Sequence, residues 1–353
     1  MKKSALTIAI SSLLLASGAH AATVYNQNDS KLEIGGRVHG MYYASENDAS
    51  EGDKSYFRLN MRGETKVANE LTAFGFGEYN METSGADNNE VRYAFVGMKH
   101  DRFGTFSYGR QDGLFTIVND YTDVLPEWGG DGLGKGTDVF GTGRTNGVAK
   151  YVFNQNGLTF GVQMTGENTA ADSDKLGTWY KGSDQGYAVV AAYDFDMGLG
   201  LSAAYNQARK TDDQVRKAAF GGNDDAMLMG VGAKYAMGDL YLAATYSHGE
   251  NHQFVNGGYA DQHDGYEAVA QYTFGKFKPS VAYLRTDVQD TANGIDDTLT
   301  EYVSIGAWYN FTSNVKAYVD YKINLLDEVG STNKSKLGQK TDDTVAFALQ
   351  YNF

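Results

Sequence analysis

DDTVAFALQYNF, residues Asp342 to Phe353, alternates without a break. Val345, Phe347, Leu349, Tyr351 and Phe353 fall on one face, and Thr344, Ala346, Ala348, Gln350 and Asn352 on the other. A period of two is the signature of a β-strand with an apolar and a polar side. This run is also long for a strand. Its length suits a tilted strand crossing a bilayer, which needs about 9–11 residues.

The same period recurs through the chain. Leu32, Ile34, Val38 and Tyr42 oppose Glu33, Arg37, His39 and Tyr43. Phe57, Leu59 and Met61 oppose Tyr56, Arg58, Asn60, Arg62 and Glu64, while Val319, Tyr321 and Ile323 oppose Lys316, Tyr318, Asp320 and Asn324. Sixteen such segments start near residues 31, 55, 71, 90, 103, 144, 158, 186, 199, 226, 240, 266, 277, 300, 315 and 342. No helical period accompanies them.

Their connections alternate in length. Tight turns such as Asp101-Arg102, Gln155-Asn156-Gly157 and Gly275-Lys276 alternate with long polar stretches such as Ser45–Lys54, Asn168–Gln185, Thr211–Asp225, Gly249–Gly265 and Leu325–Thr341. An even-numbered antiparallel barrel with turns at one rim and loops at the other gives this alternation. The fold class expected is all-β, a 16-stranded antiparallel transmembrane barrel. A soluble propeller would show a repeat of about 40 residues, and none is found. Aromatic residues near strand ends (Tyr42, Tyr43, Tyr151, Phe153, Tyr235, Tyr309, Phe311, Tyr351, Phe353) suit interfacial girdles.

Composition agrees with export and a membrane. Lys2 and Lys3, the apolar Ala5–Ala16 and Ala19-His20-Ala21 have the order of a cleavable secretory signal. The expected organisation is residues 1–21 as signal peptide and residues 22–353 as a single barrel domain. Without Lys2 and Lys3 the 30 basic residues become 28 against 44 acidic, so the net charge passes from −14 to −16. Acidity of this size excludes a nucleic-acid partner, which requires a basic face. The absence of cysteine excludes a disulfide-stapled scaffold. Beyond the signal no apolar run nears the ~20 residues of a transmembrane helix. A mean hydropathy of −0.44 remains compatible with strands that are apolar only on alternate residues.

One connection stands apart. From Asp112 to Thr142 the chain is rich in turn residues, with YTDVLPEWGGD at 121–131 carrying Pro126, Asp123 and Glu127, and glycines at 129, 130, 132, 134 and 136. Unstructured loops of this length are usually functional. Arg37, Arg58, Arg92 and Arg144 fall on the polar faces of their segments, with Val91, Tyr93 and Phe95 read against Arg92 and Ala94. Two readings stay open on the residues alone. If the loop folds inward, Asp123 and Glu127 supply the counter-charge that an arginine wall needs. Otherwise the arginines are scattered solvated charges and the loop lies outside.

YTDVLPEWGGD at 121–131, GRTNGVAKY at 143–151, SYFRLNMRGET at 55–65, VRYAFVGMKH at 91–100, ATVYNQ at 22–27 and the terminal TDDTVAFALQYNF resemble the general diffusion porins of Gram-negative outer membranes. The resemblance covers the whole chain. It implies a homotrimer of barrels in the outer membrane, in contact with lipid and lipopolysaccharide. Small hydrophilic solutes and ions would pass by diffusion, past a third long loop folded inward as a constriction. Asp123 and Glu127 match the acidic side of that constriction, and Arg37, Arg58, Arg92 and Arg144 the basic side. Phe353 matches the terminal signal read by the barrel assembly machinery. Trp128 stands where phenylalanine is usual. Glu90 stands where a basic residue is common, which would tilt the pore toward cations. The short Glu82–Asn89 stretch departs from a full latching loop.

Other signals carry less. Gly130–Gly136 lacks the strand, helix and GK[ST] of a phosphate loop. His248, His252 and His263 with Glu250, Asp261 and Asp264 are expected as a solvated acidic loop, although they could gather a metal. No nucleophile sits in a recognisable catalytic motif, so neither an enzyme nor a cofactor is expected. The alternative function is a surface adhesin or phage receptor with little conductance.

Overall fold

In the computed structural model, residues 21–46, 50–83, 89–134, 139–167, 179–330 and 332–353 are described. Residues 1–20 of the expected signal peptide 1–21 lie outside them, as do Gly136, residues 84–88 of the short connection, and residues 47–49 and 168–178 of the long polar stretches. The barrel strands, in order, are β1 (Ser30–Ser45), β2 (Tyr56–Ala68), β3 (Leu71–Glu82), β4 (Glu90–His100), β5 (Gly104–Asp112), β6 (Arg144–Gln155), β7 (Leu158–Thr165) and β8 (Gly186–Asp194). They continue as β9 (Leu199–Ala208), β10 (Ala226–Met237), β11 (Leu240–Glu250), β12 (Gln262–Tyr272), β13 (Phe277–Asp290), β14 (Ile295–Asn310), β15 (Val315–Asn324) and β16 (Thr344–Asn352). Each pairs antiparallel with the next. The main sheet has eighteen strand segments because Ala22–Gln27 and the two-residue Gly52–Asp53 add to these sixteen.

Closure is made by β1, which is long enough to serve two partners. Its first half pairs with Ala22–Gln27, Ala22 opposite Ile34. Its second half pairs with β16, from Arg37 opposite Asn352 to Ser45 opposite Thr344. Between them Gly36 exchanges both backbone hydrogen bonds with Phe353, at 3.0 and 3.1 Å. The barrel therefore has no open edge, the condition for a sheet to persist in lipid.

The alternation of β16 is realised as read. Phe347 and Leu349 are 51% and 56% exposed on the outer surface, whereas Ala346 and Gln350 are 0% and 2% exposed inside. Three expected starts move by two to five residues. β12 begins at 262, β14 at 295 and β16 at 344, and the Gly249–Gly265 loop shrinks around a hairpin of Phe254–Val255 with Gly258–Tyr259. In β12 and β14 polar residues belong to the ladder because hydrogen bonding continues beyond the apolar band, whereas Asp342 and Asp343 precede β16.

A β-bulge corrects the reading around Arg92. Tyr79 pairs with Val91 and Glu78 with Tyr93, so Arg92 is the extra residue. Past it the faces exchange. Ala94 and Val96 point out, while Tyr93 turns inward with Arg92 and donates its hydroxyl to Asp112 at 2.8 Å. Tyr43 also departs from expectation. It faces the interior and bonds Glu127, so it is no girdle residue. Two short helices were not anticipated, α1 (Thr116–Asn119) and α2 (Asp212–Lys217). Four and six residues show no period, and α2 is held by a capping box between Thr211 and Gln214.

The main apolar cores lie inside the barrel, not between layers. Leu114, Phe115, Ile117, Val118 and Leu133 of the long loop pack on Ala188, Val190, Ala192, Ala204 and Leu228 of β8 to β10. Each large side chain so buried contributes about 2 kcal/mol. Tyr121 and Leu125 pack with Ala243, Val269, Ala282, Leu284 and Tyr302 further round the wall. The loop after β5 is thus folded inward.

Candidate pore constriction

The inward loop is stitched to the wall along its length. Gln163 accepts from the Leu114 amide at 2.7 Å and donates to the Gly141 carbonyl at 2.9 Å, closing the loop's base. Tyr241 donates to the Tyr121 carbonyl at 2.6 Å and Gln271 to the Val124 carbonyl at 2.7 Å. Glu267 accepts from the Gly132 amide at 2.7 Å and from the Thr122 hydroxyl. Asp320 accepts from the amides of Glu127 at 3.0 Å and Trp128 at 3.3 Å, and from Ser304 at 2.6 Å. Loop amides that would otherwise be unpaired end on wall side chains, as buried backbone requires.

These anchors present the two loop acids differently. Asp123 is exposed, with Asn119 Nδ2 donating to it at 3.4 Å and the left-handed Gly129-Gly130 pair folded beside it. Glu127 is taken up by the wall, accepting from the hydroxyls of Tyr43 and, at 2.5 Å, Tyr318. Tyr318 also contacts His39 Nε2 at 3.1 Å, and His39 Nδ1 meets the Tyr56 hydroxyl at 2.8 Å. Burial pushes the Glu127 carboxyl above its ordinary value, against the pull of its two tyrosine donors.

The arginines occupy neighbouring strands: Arg37 on β1, Arg58 on β2, Arg92 on β4 and Arg144 on β6. Arg37 stands directly opposite Arg58 in the ladder, an unfavourable pairing unless charge is compensated nearby. The compensation comes from the wall itself. Glu78 on β3 lies 3.7 Å from Arg58 and 2.9 Å from Arg92. Glu90 on β4 lies 3.6 Å from Arg92, 3.3 Å from Arg144 and 3.8 Å from Arg110. The guanidinium of Arg58 also stacks over Tyr56 at 4.8 Å, and that of Arg144 over Tyr93 at 5.7 Å. The expectation that the wall depends on the loop acids for counter-charge is therefore corrected. Adjacent inward positions on β3 and β4 supply carboxylates at contact distance.

Sequence reasoning missed Glu78, Arg110, Glu267 and the tyrosine clamp on Glu127. Glu78 lies beside the bulge, where simple alternation fails, and Glu267 shows its role only once the loop is in place. The histidine cluster also differs from the solvated loop expected. His252 and His263 are buried against each other, ring centroids 5.5 Å apart, and burial holds His252 well below the usual histidine range. No group of three metal-ligating side chains occurs among the described residues.

The comparisons agree with this geometry. A family model described as Gram-negative porin matches residues 27–353. The outer membrane porin protein OmpD of Citrobacter koseri is 40% identical, with 100% of both chains covered. The structure of Salmonella typhi OmpF in complex with daunomycin superposes with a TM-score of 0.83 at 32% identity, covering 94% of this chain and 100% of that one. OmpT of Vibrio cholerae, in its trimer form, shares the fold at 19% identity with a TM-score of 0.69, covering 92% and 100%. These relatives favour a channel over a surface receptor. The chain belongs to the Gram-negative porin family and is an outer-membrane β-barrel channel for passive diffusion.

Proposed function

We propose that this porin passes ions and small hydrophilic solutes through a gap between the inward loop and the arginine wall, with a mild preference for cations. Asp123 and Glu127 form the acidic side; Arg37, Arg58, Arg92 and Arg144 form the basic side. The observation that carries the reading is the pairing of Arg58, Arg92 and Arg144 with Glu78 and Glu90. A basic wall largely neutralised by its own carboxylates leaves the net acidity of the exported chain, 28 basic against 44 acidic residues or −16, to bias ion entry.

Family membership supports the remaining parts of the reading. Residues 1–21 are removed on export, residues 22–353 form one barrel, and Phe353 marks it for the barrel assembly machinery. Three copies assemble in the membrane among lipid and lipopolysaccharide. The channel performs no chemistry and needs no cofactor.

Planar-bilayer recording tests the proposal. Conductance in three equal steps, with a reversal potential of cation sign in a KCl gradient, is expected. The double variant Asp123→Asn/Glu127→Gln should reduce that preference. A variant as selective as its parent would remove these acids from the ion path.

A further inference from the structure

Above the inward loop, the inner faces of β14, β15, β16 and β1 enclose a recess of about 520 Å³, within the range of small-molecule sites. Lys54, Lys322 and Lys340 line it with Tyr43, Trp128 and Tyr302. The Lys322 ammonium lies over the rings of Tyr302 at 4.2 Å and Trp128 at 5.4 Å, and Lys54 over Tyr43 at 5.8 Å. Lys340 donates to Ser50 Oγ at 2.9 Å. Among the described residues, none of the three is joined to a carboxylate in an ion pair.

The acids of the same recess are engaged elsewhere. Glu301 accepts from Tyr283 at 2.6 Å and faces Arg285 at 3.3 Å on the outer surface. Asp342 accepts from Asn333 at 3.0 Å, and Asp131, below, from Tyr302 at 3.0 Å. The buried Trp128 Nε1 has no hydrogen-bond partner among the described residues. Three lysines outside any ion pair, although Lys322 still feels the Asp131 carboxylate and Lys54 that of Asp53, meet aromatic faces. An ammonium held over a ring keeps its N–H groups available to an acceptor.

We infer that this recess is a binding site for small oxyanionic solutes, a phosphate or carboxylate carried on a flat apolar body. The oxyanion accepts from Lys322 and Lys54, and the body lies against the rings of Trp128 and Tyr302. This goes beyond diffusion: the channel would concentrate one class of anion at its mouth despite a cation-preferring constriction. Lys322, Tyr302 and Tyr43 lie on the inward positions of their strands, so the ligand is a passing solute and not a lipid headgroup.

The test is equilibrium binding of phenyl phosphate to the whole assembled protein in detergent, free of lipopolysaccharide, with benzyl alcohol as uncharged analogue. Saturable binding of phenyl phosphate alone is expected. Lys322→Met should weaken it about tenfold and Lys322→Arg about threefold or less, the scale of one charge-assisted hydrogen bond. Equal affinity in the parent and Lys322→Met, or equal binding of the two probes, would overturn the site. Because binding is read in solution, it is separable from the pore reading. Binding without conductance keeps the site and sinks the open pore; conductance without binding does the reverse.

Discussion

Arg92 Nε donates to Glu78 Oε1 at 2.9 Å, across the bulge that makes Arg92 the extra residue of its strand. The same carboxylate stands 3.7 Å from Arg58. One buried acid on β3 thus compensates two guanidinium groups on β2 and β4. Replacing it as Glu78→Gln leaves Arg58 and Arg92 repelling each other across the gap. Reversal potential in a KCl gradient should move toward anions. Unfolding should become easier by about 1–3 kcal/mol, the cost of depriving a charged group of its partner. A selectivity unchanged from the parent would place these arginines away from the ion path.

Glu127 gives the pore a pH dependence. Burial raises its carboxyl value above the unfolded one, so the folded protein holds that proton more tightly. The associated stability is fully present below the unfolded carboxylate range and is lost as pH rises through the folded value. Glu127→Gln should therefore raise thermal stability at neutral pH and change it little in acid. In the parent, cation preference should begin to fall on acidification at a pH above the usual carboxylate range. Identical pH profiles for the parent and Glu127→Gln would show that another group carries the change.

Asp320 is the anchor of the loop tip. It is fully buried and accepts from Glu127, Trp128 and Ser304 together. Asp320→Ala leaves three donors without their acceptor, at about 1 kcal/mol or more each. The barrel ladders do not depend on this residue, so the loss should be local. Open-channel current noise should rise while heat stability of the barrel changes little. A quiet channel would mean that packing of Pro126 and Trp128 alone holds the tip.

The strands were legible because each face of the barrel meets a different solvent. Lipid outside and a polar interior impose a period of two that Val345 to Asn352 displays without exception. The inward arginines could be placed for the same reason. What escaped depended on breaks in that period or on contacts between distant segments. The bulge at Arg92 turned Tyr93 and Ala94 to the opposite faces, and a single inserted residue leaves no mark in an alternating pattern. Glu78, next to the bulge, was lost with it. Tyr43 and Tyr318 flank Glu127 only because the loop crosses the lumen, a contact spanning 84 residues for Tyr43 and 191 for Tyr318. His252 and His263 read as solvated because they lie in polar sequence; Phe140, whose ring stands 5.3 Å from His252, helps cover them. Apolar cover from another segment has no local signature.

Gly265 on β12 and Gly132 in the loop touch through their backbones. A Cβ placed on Gly265 would stand 2.1 Å from the Gly132 carbonyl oxygen and 2.9 Å from Leu133 Cα. Neither backbone atom can move aside without drawing the loop away from Glu267, which holds both Gly132 and Thr122. Gly265→Ala should therefore lift this part of the loop from the wall, at about 1–3 kcal/mol for an overpacked contact. Single-channel conductance should change, because the loop moves into the lumen. Ala268→Val, on the outer face of the same strand, adds bulk toward the surroundings and should alter neither quantity. Equal conductance in parent and Gly265→Ala would mean that the gap is set on the Asp123 side of the loop alone.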